Sequence, residues 1–190
     1  ANSMLKKPEA ALQMIRKVLD AGIEADYVLM DSWFTTEPFV QELRTIGIHV
    51  IGMVKNNKQT YQYKGHFYTL PQLSKVAIRE GSESQYRSLT VTTKKHQIPV
   101  RIVCIQNKNK KSAFLYLLTT DTNLSADEII RLYGNRWSIE TFFKASKSLF
   151  RLCNEFQTCS YDAAVAHTTL VITRYMLLEW IRRQDNDPRT

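Results

Sequence analysis

The sequence predicts an α/β fold: a helix–strand–helix–strand core, a β-rich insertion, and a run of helices towards the C-terminus. Three observations predict it. Two short apolar runs of strand length each follow a segment of helical periodicity, the signature of α/β layers. The middle third changes texture to short alternating strands with charged loops between them. Beyond Thr122, capping and periodicity signals are all helical. With 190 residues, 44% hydrophobic and 11% aromatic, the chain can build a real core, which excludes wholesale disorder.

The elements follow in chain order. Over residues 8–19 the apolar positions Ala11, Leu12, Ile15, Val18 and Leu19 share one helical face, and Gly22 stops the helix. The run Tyr27-Val28-Leu29-Met30, ending on Asp31, reads as a buried parallel strand. Residues 36–46 are helical with Gly47 as the stop, and residues 49–54 form the next strand. This gives a partial core over 1–55. In the insertion, 56–113, Lys64-Gly65 is a hairpin turn between Tyr61-Gln62-Tyr63 and His66-Phe67-Tyr68, and residues 89–93 and 100–105 are antiparallel strands. The last segment, 114–190, opens with a return strand over 114–119. Ser125 and Glu128 then form a capping box, with Leu124 and Ile129 placed as a hydrophobic staple. That helix ends near Gly134, a second runs to about residue 150, and a third spans about 160–183. The apolar stretch 163–181 is interrupted by His167, Arg174 and Glu179, so it is expected to be a buried helix and not a membrane span.

Charge is the first clue to function. Residues 55–113 carry twelve Lys or Arg against Glu80 and Glu83, while the whole chain is only +8. A basic excess confined to one third of the chain is expected to face a polyanion, and Lys94, Lys95, Lys108, Lys110 and Lys111 are the candidate DNA contacts. Cys104, Cys153 and Cys159 are too few and too irregularly spaced for a disulfide framework or a zinc site. They are read as reduced thiols of a cytoplasmic protein.

The chemistry-bearing constellation is Tyr133, Arg136, Glu140 and Lys147. If one helix runs through them, with Tyr133 at 0°, Arg136 falls at about −60°, Glu140 at about −20°, Lys147 at about −40° and Lys144 at about +20°. The apolar residues Ile139, Phe142, Ala145, Leu149 and Phe150 lie on the far side, facing a core. A solvated face of an amphipathic helix explains Glu and Lys side by side. It does not explain a carboxylate set among three cations and a phenol. That mixture suits a phosphodiester beside a divalent cation, with the carboxylate on the metal and Arg, Lys and Tyr on phosphate oxygens.

The spacing Tyr133, two residues, Arg136, three residues, Glu140, six residues, Lys147 resembles the Tyr-Arg-Glu-Lys signature of bacterial insertion-sequence DDE transposases. Four fixed residues at average usage match by chance roughly once in a thousand chains of this length. Asp31-Ser32-Trp33-Phe34 also resembles the segment around the family's second catalytic aspartate, and the β-rich insertion lies between that aspartate and the glutamate, as the family has it. The resemblance implies a ribonuclease-H-like core, metal-dependent DNA cleavage and strand transfer, and Mg²⁺ or Mn²⁺ bound by Asp31 and Glu140. It further implies DNA-phosphate ligation by Tyr133, Arg136 and Lys147, and Lys144, on the same helix face, is a further candidate DNA contact. The expected partners are transposon ends and target DNA, bound by a homodimer in a synaptic complex at the nucleoid. One departure stands: Asp20 falls in a helix pattern, and Asp26 lies roughly 16 Å along an extended strand from Asp31, so neither matches the family's first aspartate. The chain is therefore expected to hold two of the three acidic ligands, and by itself to bind DNA without cutting it. Another nuclease of the same fold and a non-catalytic DNA-binding relic are the alternatives.

Overall fold

An eight-stranded sheet carries the first of two compact units, residues 1–135; residues 136–190 form the second. The computed structural model describes residues 6–80, 86–107, 113–152 and 160–184. The first unit begins as the periodicity predicts, with α1 (Lys7–Asp20), β1 (Tyr27–Met30), α2 (Glu37–Thr45) and β2 (His49–Val54). Gly22 and Gly47, at φ 79° and 83°, take the left-handed conformation that ends α1 and α2. β1 and β2 pair in parallel, with Met30 opposite Gly52. β1 is the edge strand of the sheet, so it is half-buried and only Met30 is fully covered.

The middle segment extends this sheet. It contributes β3 (Thr60–Tyr63), β4 (His66–Thr69), α3 (Leu70–Val76), β5 (Ile78–Glu80), β6 (Tyr86–Thr93) and β7 (Pro99–Gln106). The return strand β8 (Phe114–Thr119) lies between β2 and β7, giving the order β1-β2-β8-β7-β6-β3-β4, with β5 paired to β6. All pairings beyond β1–β2 are antiparallel, as expected for the insertion. Lys64 (φ 47°) and Gly65 (φ 82°) make the two-residue hairpin turn. The sequence reading gives no helix at α3. Its signal is Thr69 followed three residues on by Gln72, whose Oε1 accepts the Thr69 N–H at 2.8 Å, with Pro71 in the first turn.

Alternation along the strands builds two cores. Val50, Val54, Ile102, Cys104, Tyr116 and Leu118 face one way, packing with Phe39, Val40 and Leu43 of α2 and Leu70 and Leu73 of α3. Ile51, Val103 and Leu117 face the other way, against Ala126 and Ile129 of α4 (Ala126–Gly134). The capping box of α4 forms as predicted: Ser125 Oγ accepts the Glu128 N–H at 3.3 Å, and Glu128 Oε2 accepts the Ser125 N–H at 2.9 Å.

The second unit contains α5 (Trp137–Ser148) and α6 (Tyr161–Gln184). Two expectations fail here. α6 is not a buried helix: Val171 is its one buried residue among those described, while Leu170, Met176, Leu177 and Trp180 are each more than half exposed. The far side of α5 is also incompletely covered. Phe142 and Ala145 are half-buried, with Phe142 edge-on to Tyr175 at 4.8 Å, but Ile139 and Leu149 are exposed. Two helices share a single seam and can cover only a narrow stripe of each, whereas apolar residues surround α6 on every side.

Candidate active site and basic surface

Asp31 sits where β1 leaves the sheet. Its Oδ1 accepts the N–H groups of Trp33 at 2.8 Å and Phe34 at 3.3 Å, and its carbonyl accepts the Thr35 hydroxyl at 2.7 Å and the Thr35 N–H at 3.2 Å. A short polar side chain bonding its own following amides is a locally encoded turn. One carboxylate oxygen is thereby fixed, and the other has no partner among the described residues. The residue is exposed, so the open oxygen faces solvent. Beneath the turn, Thr35 is buried against Gly52 of β2, where an added Cβ would land on the Thr35 hydroxyl. Gly52 is therefore the space into which the Asp31 turn folds, a role its sequence setting in a strand does not announce.

Glu140 has a different setting. Tyr133 ends up on α4, Glu140, Lys144 and Lys147 on α5, and Arg136 at the N-cap of α5, because the two helices are divided at Asn135–Arg136. Two helices, divided close to Gly134 as the sequence predicts, therefore carry the constellation. Within α5 the charged set stays on one face: Arg136, Glu140, Lys144 and Lys147 span about 80° of the helix circumference. Arg136 donates to Glu140 Oε1 at 2.8 Å, leaving the second carboxylate oxygen without a partner among the described residues. The Glu140, Lys144 and Lys147 side chains are exposed. An exposed ion pair with the cation N-terminal to the anion at this spacing is weak, so either partner can be given up to a better ligand.

Lys94 and Lys95 lie in the β6–β7 turn. Glu37, the first residue of α2, accepts the Lys95 N–H at 2.8 Å and the His96 N–H at 2.6 Å. Burial pushes the Glu37 carboxyl up, but the amides of His96 and Lys95 and the Thr93 hydroxyl outweigh it and hold the group below its ordinary range. Lys108, Lys110 and Lys111, with Cys153 and Cys159, lie outside the described residues. Cys104 is buried in the sheet, which pushes its thiol up to about 12 and leaves it unreactive. Of the hairpin aromatics, Tyr61 is fully buried, Tyr63 and Tyr68 pack edge-on, and Phe67 is half exposed beneath the Lys94 ammonium.

Asp20 is the last residue of α1, and Asp26 precedes β1, where its carbonyl accepts the His49 N–H. Among the described residues no group of three or more His, Cys, Asp or Glu side chains is gathered as for a metal. No helix among them is long and apolar enough to cross a membrane.

Residues 6–177 match the family described as the transposase DDE domain, and the chain belongs to that family. No curated protein matches the chain. The mixed α/β architecture, with a carboxylate at the C-terminal end of a parallel strand, is consistent with such a nuclease fold.

Proposed function

We propose that this chain supplies the second aspartate and the glutamate of an insertion-sequence transposase of the Tyr-Arg-Glu-Lys group, with a ribonuclease-H-like core. In this reading Asp31 and Glu140 hold Mg²⁺ or Mn²⁺ and together serve one metal site. The observation that carries it is the Asp31 turn: a carboxylate fixed through one oxygen by main-chain amides, its other oxygen open, at the end of the edge parallel strand. Exposed carboxylate oxygens are the hard donors such cations prefer. The bound cations would activate water or a 3′-hydroxyl and stabilise the leaving oxygen of an in-line displacement. Arg136, Lys144 and Lys147 bind phosphate oxygens from one face of α5, and Tyr133 does so from α4. Arg136 exchanges its weak pair with Glu140 for phosphate, which frees both carboxylate oxygens for the cation.

The test is metal-dependent nicking of duplex DNA bearing the element's ends, using the gene product as encoded. Asp31→Asn and Glu140→Gln should each reduce nicking at least about 100-fold, because loss of metal stabilisation is worth several kcal/mol. DNA affinity should stay within about twofold of the parent, since neither group is a phosphate ligand. Arg136→Ala should instead weaken DNA binding. Undiminished nicking by Glu140→Gln would refute the assignment.

A further inference from the structure

Beside the Asp31 turn the first unit has a cleft of about 390 Å³. Ser32 and Thr35 of that turn contribute to its lining, as do Lys55, Lys58, Lys94 and Lys95 among mostly uncharged neighbours such as Thr36, Asn57 and Gln59. The first two lysines come from the loop after β2, shaped by the Asn57 side chain accepting the Gln59 N–H at 2.9 Å. The other two come from the β6–β7 turn, about forty residues away in sequence. Among the described residues Glu37 is the only acidic one lining the cleft, and its carboxylate accepts the Lys95 and His96 amides. Four lysines from two separate loops therefore line one concave surface beside the Asp31 turn, with the Lys94 ammonium over the Phe67 ring and the opposing carboxylate used as a clip.

Without a polyanion, such a cluster is self-repelling and gains nothing for the fold. With one, each lysine offers a compact, rotatable charge suited to non-bridging phosphate oxygens. We propose that this cleft is a binding track for the sugar-phosphate backbone of DNA, leading the strand to Asp31, and that Glu37 is the positioning residue that holds its far wall. Lys55, Lys58 and Glu37 thus join Lys94 and Lys95 in one site. The proposal rests on the transposase reading for the identity of the polyanion.

The experiment measures affinity of this chain for duplex DNA by fluorescence anisotropy across a salt series. Lys55→Ala/Lys58→Ala should flatten the log–log salt slope by about two and weaken binding roughly tenfold, since each phosphate contact contributes about 0.9 to the slope. Lys17→Ala/Lys75→Ala, which removes the same charge away from the cleft, should leave the slope unchanged. Glu37→Ala gives a signed test. If Glu37 only repels phosphate, removing it tightens binding. The clip predicts weaker binding despite the lost negative charge, with faster amide exchange at Lys95 and His96 and an otherwise unchanged exchange pattern. Tighter binding by Glu37→Ala would overturn the clip. A parental slope in Lys55→Ala/Lys58→Ala, with salt-dependent binding by the parent intact, would overturn the track alone. Absence of any salt-dependent binding by the parent would overturn the DNA reading as well.

Discussion

Asp31 and Glu140 are both exposed carboxylates with one oxygen engaged, yet they are held in opposite ways. Main-chain amides grip Asp31, on a turn seated over Gly52 and backed by the larger core. Among the described residues Glu140 is held only by a neighbouring guanidinium, on a helix whose unit leaves most of its described apolar residues uncovered. The first carboxylate is pre-organised by the fold. The second is placed by a side-chain pair that costs little to break.

The largest effect should come from removing the seat of the rigid carboxylate. Gly52→Ala puts a methyl group where the Thr35 hydroxyl lies, and overpacking of this kind costs about 1–3 kcal/mol. The thermal midpoint should fall, and the amides of Trp33 and Phe34 should lose exchange protection. Unchanged protection there would mean that the turn does not depend on its seat.

Acid should loosen the β6–β7 turn next. The folded Glu37 carboxyl lies below its ordinary value of 4.5, so its contribution is complete above that pH. It is lost as pH falls from 4.5 through the lower folded value. Amide exchange at Lys95 and His96, extrapolated for intrinsic rate, should accelerate over that window. Acceleration centred above pH 4.5 would contradict the clip.

The smallest effect belongs to the second carboxylate. Glu140→Gln should change stability by no more than about 0.5 kcal/mol in a denaturant melt, because Glu140 is exposed and its pair with Arg136 is replaceable by water. A loss of several kcal/mol would show that Glu140 is held as firmly as Asp31.

Local signals made much of this legible in the sequence. Ala11, Leu12 and Ile15 announced α1, Tyr27–Met30 announced β1, and Ser125 with Glu128 announced the start of α4, since each depends on neighbours a few residues away. What depends on distant partners was not legible. Glu37 looks like an ordinary first-turn acid, and nothing local says that it holds a turn between two later strands. Lys55 and Lys94 belong to one cleft only because the sheet brings their loops together. Gly52 reads as a mere weakness in a strand until Thr35 is seen against it. The apolar character of α6 led to an expectation of burial that the structure overturns, because the composition of a helix cannot supply the surface that would cover it. The end of α4 near Gly134 was legible from the glycine itself, and with it the division of the Tyr133, Arg136, Glu140 and Lys147 spacing between two helices.

The most direct test of the central claim is a Mn²⁺ titration of the isotopically labelled chain by NMR, reading which amides the paramagnetic ion broadens. The account predicts that signals from Asp31 to Thr35 and around Glu140 broaden together at the same sub-stoichiometric concentrations. Asp31→Asn or Glu140→Gln should weaken the broadening at both places. Broadening at one carboxylate that is indifferent to loss of the other, or broadening centred elsewhere, would contradict it.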